Sequence, residues 1–332
     1  MQNSGLDINP SLRLPSRYTK WREDQFRAVD AVVKSDKPVF LLDAPTGVGK
    51  SLLAIGAHRI LQKQTIYITR TKQLQDQIMR DFAEIAVSLK GKANYPCAMK
   101  YDQFPEVTAD DCGYKSPRKQ CEYWDDCQYH LAKEEAKTAP LVVLNDAYFL
   151  AEANGDRPAF GENDMLVVDE VDSIENGLLS YIQFEITLSQ IQKYGLSLPL
   201  NPDSKQSWLD WMPTVVDHLS PWVREYTKKL NEHDPSYWGP MEIELQRQVK
   251  KTEKLLDKLI FLRAEVNESW VFYPDTTKGG DRMWVFKPVQ VGRYGQEYLW
   301  SHGTRALGMS GTIFDAGITC RDLGIADCDY MK

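Results

Sequence analysis

Ala44-Pro-Thr-Gly-Val-Gly-Lys-Ser51 is the stretch of this sequence that decides its fold. It follows the apolar run Val39-Phe-Leu-Leu-Asp43 and precedes a helix-like pattern over residues 52–61. A strand, a glycine-containing loop and a helix in this order are the context that a phosphate-binding loop requires. The glycines let backbone N–H groups turn toward phosphates, the lysine supplies positive charge, and the serine hydroxyl can bind Mg²⁺. We therefore predict a site for a nucleoside triphosphate, ATP with Mg²⁺. The residues predicted to bind it in this loop are Ala44, which replaces the first glycine of the general pattern, Thr46, Gly47, Gly49, Lys50 and Ser51.

A pair of carboxylates at the end of another apolar run is the expected partner of this loop. Met165-Leu-Val-Val168 leads directly into Asp169 and Glu170. An aspartate in this place can hold Mg²⁺, and a glutamate beside it can polarise the water that attacks the terminal phosphate. Acidic residues also favour helix starts, but beside a phosphate loop we favour the catalytic interpretation. We predict that Lys50, Asp169 and Glu170 are catalytic, and that Ser51 and Asp169 bind Mg²⁺.

Further apolar runs extend this architecture along the chain. Thr65-Ile-Tyr-Ile-Thr69 and Leu141-Val-Val-Leu144 have the composition of buried strands, and a helical pattern covers residues 72–87. Alternating strands and helices predict an α/β fold, a parallel sheet with helices on both faces. Residues 179–268 break this alternation, because their apolar residues recur at helical spacing.

Residues 88–138 also break the alternation, and they contain four of the six cysteines: Cys97, Cys112, Cys121 and Cys127. Clustered cysteines in a chain that we expect to be cytosolic indicate a metal or iron–sulfur site rather than disulfides. The C-x2-C pairs that zinc ribbons usually have are absent from the sequence. Spacing alone leaves an iron–sulfur cluster and tetrahedral zinc equally open.

Composition narrows the class of protein only in part. Of the 332 residues 42% are hydrophobic, and no apolar run approaches the ~20 residues of a membrane span. We expect a cytoplasmic, DNA-associated protein without membrane contact. The net charge of −7 argues against DNA binding by bulk charge, but a local basic groove remains possible. Arg70, Lys72 and Tyr95 combine charge and stacking surface suited to single strands, although such lysines also occur on ordinary solvated faces.

The motifs above resemble, in order, superfamily 2 helicases of the XPD/DinG iron–sulfur type. Trp21-Arg-Glu-Asp-Gln25 is similar to the element that reads adenine in that family, which assigns Arg22 and Gln25 to the nucleotide. Residues 44–51 resemble motif I. Thr69-Arg-Thr-Lys-Gln-Leu74 resembles motif Ia, which touches DNA and adds Thr69 to the candidate DNA contacts.

Two later segments continue the resemblance. Asp169-Glu-Val-Asp172 is similar to motif II, and Met309-Ser-Gly-Thr312 to motif III, in which Ser310 and Thr312 would couple ATP to DNA movement. Asp172 replaces a histidine, Asp146 follows Asn145 where a histidine is usual, and Gly311 replaces an alanine.

The resemblance implies a RecA-like P-loop NTPase sheet with two inserts. Its expected divisions are a RecA-like part over residues 1–87, a four-cysteine insert over 88–138, a second RecA-like part over 139–178, a helical Arch-like insert over 179–268 and a third RecA-like part over 269–332. The cysteines lie where the family holds a [4Fe–4S] cluster, so the resemblance favours that cluster over zinc. The chain ends 20 residues after Thr312, and we expect the second motor domain to be absent from it.

The leading hypothesis is the ATP-binding motor half of an ATP-dependent DNA helicase acting on single-stranded or forked DNA. The resemblance implies movement from 5′ to 3′. We expect weak hydrolysis from the isolated chain, because the family's arginine fingers come from the second motor domain and can be worth ~10³–10⁵ in rate. A second chain is a candidate partner that would supply that domain. Two alternatives remain: a non-motor module that binds ATP and DNA, and a zinc-bearing P-loop ATPase unrelated to DNA.

Overall fold

The computed structural model describes residues 6–115, 117–155, 158–160 and 163–332. They form two compact units, each assembled from separate stretches of chain. The first unit comprises Met1–Gly91, Leu131–Tyr181 and Gln290–Lys332, and the second comprises Lys92–His130 and Ile182–Val289. The structure thus groups residues 269–289 with the second unit, whereas the sequence analysis placed them with the nucleotide-binding part.

Strands and helices alternate along most of the described chain. The strands are β1 (Leu6–Asp7), β2 (Lys20–Trp21), β3 (Val39–Asp43), β4 (Thr65–Thr69), β5 (Val87–Ser88), β6 (Leu141–Asn145), β7 (Met165–Asp169), β8 (Phe184–Thr187), β9 (Trp270–Thr276), β10 (Arg282–Pro288), β11 (Ala306–Ser310) and β12 (Cys328–Met331). The helices are α1 (Glu23–Lys34), α2 (Lys50–Leu61), α3 (Lys72–Phe82), α4 (Pro117–Gln120), α5 (Gln128–Thr138), α6 (Asp146–Ala153), α7 (Ile174–Ile182), α8 (Leu188–Lys193), α9 (Lys205–Asn231), α10 (Pro240–Glu265), α11 (Gly292–Tyr298) and α12 (Ala316–Leu323).

A seven-stranded sheet in the order β12-β3-β11-β7-β4-β6-β5 forms the centre of the first unit, and its strand pairs are parallel. The predicted α/β fold with a parallel sheet is therefore confirmed. Every residue of β3, β4, β6, β7 and β11 is buried. This burial explains why the first four of these strands read as continuous apolar runs, since parallel strands are covered on both faces.

The strand order brings three chain segments to one edge of the sheet. β11 pairs with β3 on one side and with β7 on the other. Because the strands are parallel, their carboxyl ends lie side by side, with Ser310 opposite Asp43 and Met309 opposite Asp169. Ligand sites of open α/β sheets occur at this edge.

The second unit has its own core. β8, β10 and β9 form an antiparallel sheet in that order, and α9 and α10 pack against each other. The Trp208 ring of α9 lies 5.0 Å from the Trp284 ring of β10 and 5.0 Å from the Trp211 ring, and Trp208 and Trp284 are fully buried. Edge and tilted ring contacts of this kind stabilise a core beyond the burial of their surface.

None of the helices in the described part of the chain combines the length and the apolar character needed to cross a membrane.

Candidate functional site

The phosphate loop connects the end of β3 to the start of α2. Gly47 and Gly49 have φ values of 86° and 87°, in the left-handed region that favours glycine. Gln25 of α1 is buried beside this loop and donates from Nε2 to the carbonyl of Val48 over 2.7 Å. The backbone N–H of Arg22 donates to Gln25 Oε1 over 3.0 Å, and Arg22 is exposed. The structure therefore brings the predicted adenine-reading residue into direct contact with the loop.

The predicted catalytic residues converge at the end of β7. Lys50 Nζ forms an ion pair with Glu170 Oε1 at 2.7 Å. Asp169 is buried, and burial raises the pKa of its carboxyl, an effect that the positive charge of Lys50 opposes. Glu170 has a φ of 53°, which is uncommon for a residue with a side chain and costs backbone strain. Strained residues cluster at active sites, and this one is the predicted general base.

Tyr67 is a site residue that the sequence analysis missed. It lies on β4, which pairs with β7, and it has no exposed surface. Its hydroxyl donates to Asp169 Oδ2 over 3.1 Å. Burial, followed by the charge of Asp169, raises the pKa of Tyr67, whereas a hydrogen bond with the Ser51 side chain lowers it. One hydroxyl thus lies between the two groups predicted to bind Mg²⁺.

The end of β11 is joined to the segment after β7 by hydroxyl groups. Ser310 Oγ donates to Asp172 Oδ1 over 2.7 Å, and Thr312 Oγ1 donates to Asp172 Oδ2 over 2.5 Å. Ser310 Oγ also lies 3.5 Å from Glu170 Oε2. Asp172 can accept from both hydroxyls at once because a carboxylate has two oxygens. The residue that departs from the family's motif II therefore makes a direct link to the predicted coupling residues.

The candidate DNA contacts occupy different surroundings. The Thr69 hydroxyl is buried and donates to the carbonyl of Thr71 over 3.1 Å. Arg70 NH1 forms an ion pair with Asp146 Oδ2, a buried carboxylate at the start of α6. Lys72 begins α3. Tyr95 belongs to the second unit, where its ring packs edge-on against Tyr129, with centroids 5.6 Å apart.

All four clustered cysteines belong to the second unit and are half-buried free thiols. Burial raises the pKa of Cys97, and backbone N–H groups of Met99 and Lys100 that hydrogen-bond its sulfur lower it. Burial likewise raises the pKa of Cys121, and the charges of the other three cysteines raise it further. Cys121 is therefore within electrostatic reach of each of the other three sulfurs.

The four thiols can be compared with the ligand sets of the two groups that the sequence analysis left open. In the part of the chain that the structure describes, no three His, Cys, Asp or Glu side chains are assembled closely enough to hold one ion. Tetrahedral zinc with Zn–S bonds of about 2.3 Å would need sulfurs about 3.8 Å apart. A cluster of several irons separates its thiolate ligands more widely, and N–H···S hydrogen bonds like those at Cys97 are among the features that tune such clusters. Both groups use thiolate ligands, so the four cysteines suit either one chemically.

Residues 18–194 match the family described as "Type III restriction enzyme, res subunit", abbreviated ResIII. The chain belongs to this family. The ResIII match begins before Gln25 and extends past Asp172, so it includes the phosphate loop, the acid pair and the cysteine segment. Ser310 and Thr312 lie beyond it.

Curated relatives and solved structures agree with the ResIII assignment. The chain is 23% identical over 322 residues to "ATP-dependent DNA helicase YoaA" of Haemophilus influenzae, covering 79% of this chain and 50% of the relative. YoaA of Escherichia coli K12 is 21% identical over 72% of this chain and 46% of its own length. The chain thus spans about half the length of these relatives.

Two solved structures share the fold. One titled "XPD_Helicase" aligns with a TM-score of 0.53 and 18% identity over 94% of this chain and 62% of that one. A second, titled "Truncated XPD", aligns with a TM-score of 0.50 and 16% identity over 93% of this chain and 99% of that one. The predicted resemblance to XPD/DinG-type superfamily 2 helicases is confirmed at the level of relatives and fold.

Proposed function

We propose that this ResIII chain is the ATP-binding motor domain of an ATP-dependent DNA helicase that acts on single-stranded or forked DNA. The observation that carries the proposal is the meeting of Lys50, Asp169 and Glu170 at neighbouring strand ends, 2.7 Å separating the Lys50 and Glu170 side chains. Two curated relatives are named ATP-dependent DNA helicases, which supports the assignment of DNA as the substrate.

The ion pair suggests how ATP binding prepares hydrolysis. Backbone N–H groups of the loop and Lys50 would bind the β- and γ-phosphates, so Lys50 must exchange the Glu170 carboxylate for phosphate oxygens. Glu170 is then free to orient a water and accept its proton. Mg²⁺, held by Ser51 and Asp169, would neutralise the charge that develops on the phosphates. Gln25, buried beside Val48, would sense the adenine.

Coupling to DNA would run through Asp172. Its two hydrogen bonds to Ser310 and Thr312 link the segment after the catalytic carboxylates to the end of β11. We assign Thr69, Arg70 and Lys72 to the DNA path by resemblance, together with movement from 5′ to 3′. Tyr95 joins them because its ring offers a stacking surface for a base. Full turnover would need the arginines of a second motor domain, on this protein or on a partner chain, which can accelerate hydrolysis by ~10³–10⁵.

We assign a [4Fe–4S] cluster to Cys97, Cys112, Cys121 and Cys127. The electrostatic influence of the other three thiols on Cys121 and the N–H···S hydrogen bonds at Cys97 support it. The cluster would supply folding free energy to a segment that contributes little apolar core of its own. Protein prepared anaerobically should contain iron and sulfide with visible absorbance, and Cys112→Ser should lose both. Zinc with no iron would support the alternative of a zinc-bearing ATPase.

Nucleotide binding gives the decisive test of the motor site. Lys50→Ala should weaken ATP binding by at least about a hundredfold, because the loop loses its phosphate-binding charge. Lys34→Ala is the matched control, since Lys34 is exposed on α1 and pairs only with Asp30 among the contacts seen. Single-stranded DNA should stimulate ATP hydrolysis when a second motor domain is present. ATP binding without any such stimulation would refute the motor and favour the non-motor module.

A further inference from the structure

Two cysteines outside the four-cysteine cluster meet in the first unit. Cys320 lies on α12 and Cys328 begins β12, and their Sγ atoms are in direct contact at 2.7 Å. Both are half-buried free thiols. Neither contributes to the nucleotide site, and both lie at least 193 residues after Cys127 in the sequence. The proposed function gives this pair no role.

The fold itself places the two sulfurs together. The backbone N–H of Ile325 donates to the carbonyl of Cys320 over 2.8 Å, and Gly324 ends α12 in the left-handed conformation. Trp300 Nε1 donates to the carbonyl of Leu323 over 2.8 Å, which fixes the end of the helix. Cys328 pairs with Val39 of β3 in the parallel register. Both backbones are therefore held by hydrogen bonds that do not involve the thiols.

We propose that Cys320 and Cys328 are a thiol–disulfide modification site that reacts with low-molecular-weight disulfides such as oxidised glutathione. Paired thiols in contact can be oxidised without moving the backbone far. Disulfides of proteins in a reducing compartment are usually transient and redox-sensing. The bond would close a loop of a few residues across the turn between α12 and β12.

The reaction balances with the small disulfide as the oxidant. The Cys328 thiolate attacks one sulfur of oxidised glutathione, forming a mixed disulfide as glutathione leaves as a thiolate. Cys320 then releases its proton to solvent and attacks the Cys328 sulfur, expelling the second glutathione. Two protein thiols are oxidised, and one small disulfide is reduced to two thiols. Burial and the neighbouring thiol raise the pKa of Cys320 to about 12.

The bond would tie an edge strand to a helix beside the phosphate loop. β12 is the outermost strand on its side of the sheet, next to β3. From it, Tyr330 donates to Asp43 Oδ2 over 3.3 Å and Lys332 pairs with the same oxygen at 3.1 Å. Asp43 directly precedes the phosphate loop. Oxidation would therefore hold β12 in place, and β12 contacts Asp43, the residue directly before the phosphate loop.

Peptide mapping tests the bond directly. The protein is treated anaerobically with oxidised glutathione, its free thiols are alkylated, and it is digested with trypsin. Cleavage after Arg305 and Arg321 places Cys320 and Cys328 on different peptides, residues 306–321 and 322–332, because Arg321 lies between the two cysteines. The expected product is the two peptides joined and lighter by two hydrogens than their sum. Free thiols, separate glutathione adducts on both cysteines, or a bond to any of the four clustered cysteines would each overturn the proposal.

Amide hydrogen exchange tests whether the Cys320–Cys328 bond restrains β12. Amide hydrogen exchange of β12 should slow by about tenfold or more on oxidation, since the strand can no longer open independently of α12. Cys320→Ser and Cys328→Ser keep the side-chain size and cannot form the bond, so their exchange should not respond to oxidised glutathione. Equal exchange in oxidised and reduced wild-type protein would show that β12 is not held in this way.

Discussion

Tyr67 illustrates how one side chain can organise a site from a neighbouring strand. Its ring is buried in the core, as a tyrosine in an apolar run predicts. Its hydroxyl donates a hydrogen bond to Asp169 Oδ2 over 3.1 Å. A carboxylate that is buried needs donors, because burial disfavours its charged form. Tyr67 and Lys50 supply that compensation before any metal arrives.

Replacing Tyr67 by phenylalanine should therefore weaken the Mg²⁺-dependent binding of nucleotide. A hydrogen bond to a charged buried group contributes about 1.5–3 kcal/mol, so Tyr67→Phe should lower the apparent Mg²⁺ affinity by about tenfold or more. Titration of Mg²⁺ at a fixed concentration of a non-hydrolysable ATP analogue measures it. Tyr18→Phe, which removes a partly exposed hydroxyl contacting Arg17, is the control. An unchanged Mg²⁺ titration in Tyr67→Phe would show that the hydroxyl is merely structural.

His58 should make the stability of the first unit depend on pH. Its Nδ1 lies 3.0 Å from the Lys63 carbonyl, and burial lowers its pKa from 6.5 to about 4. Between pH 6.5 and about 4, His58 binds a proton in the unfolded chain but stays neutral in the folded chain. The free energy of unfolding should thus fall by up to about 3 kcal/mol as the pH drops from 6.5 to about 4.

Denaturant unfolding of wild type and His58→Gln across this pH range isolates the effect. The variant loses packing and is expected to be less stable near neutral pH, but its stability should change less on acidification. The difference between the two proteins should therefore shrink as the pH falls. Parallel curves for the two proteins would assign the acid sensitivity to other groups.

At the level of elements, the sequence predicted those strands whose apolar character is continuous. β3, β4, β6 and β7 are such runs, and each is fully buried. β11 and β12 went unpredicted as strands for different reasons. Gly308 interrupts β11, where a Cβ atom would lie 2.9 Å from both Leu41 and Val171. β12 is an edge strand with an aspartate and a tyrosine, so its pattern lacks the apolar signal.

The site was predictable where a local motif encodes it and not where distant elements meet. The phosphate loop and the acid pair carry recognisable residue types in order. The contacts of Gln25 with Val48 and of Tyr67 with Asp169 join residues 23 and 102 positions apart. No spacing in the sequence signals such pairs, because they depend on strand order and register.

Arg70 lies between β4 and α3, and it is a candidate both for a DNA contact and for a structural role. It forms an ion pair with Asp146, whose side chain is only 6% exposed. Among the contacts seen in the described residues, Asp146 pairs with no other cation. Removing one partner of a buried ion pair leaves a charge without compensation. Arg70→Ala should therefore cost about 2–3 kcal/mol of unfolding free energy, less than a fully buried pair because Arg70 is partly exposed.

The double variant Arg70→Ala/Asp146→Asn separates the two roles. It should recover most of the lost stability, since no buried charge is left unpaired. If Arg70 also contacts phosphates, single-strand affinity should stay low in the double variant and its salt dependence should be shallower. Recovery of both stability and DNA affinity would make Arg70 a structural residue alone.

Over the whole molecule, the second unit combines two segments that the sequence treats as separate inserts. Arg247 of α10 forms a bidentate ion pair with Asp111, its Nε at 2.7 Å and its NH2 at 3.0 Å. Lys100 is buried and donates to the carbonyls of Ser236 and Trp238 over 2.6 and 2.8 Å. Each contact joins the cysteine segment to the helical segment across more than a hundred residues of chain. Nothing in either segment's local pattern predicts this joint core.

Loss of the proposed cluster should consequently loosen the start of α10 as well as the cysteine segment. Cys112 neighbours Asp111, so Cys112→Ser should free Asp111 from the geometry that Arg247 requires. Hydrogen exchange near residues 234–250 should rise by about tenfold or more, while exchange in β3 and β4 and the affinity for ATP stay within about twofold of wild type. Cys320→Ser, on the first unit, is the matched control, and it should not change hydrogen exchange in the cysteine segment or near residues 234–250. Faster exchange confined to residues 92–130 would show that the helical segment folds without help from the cysteine segment.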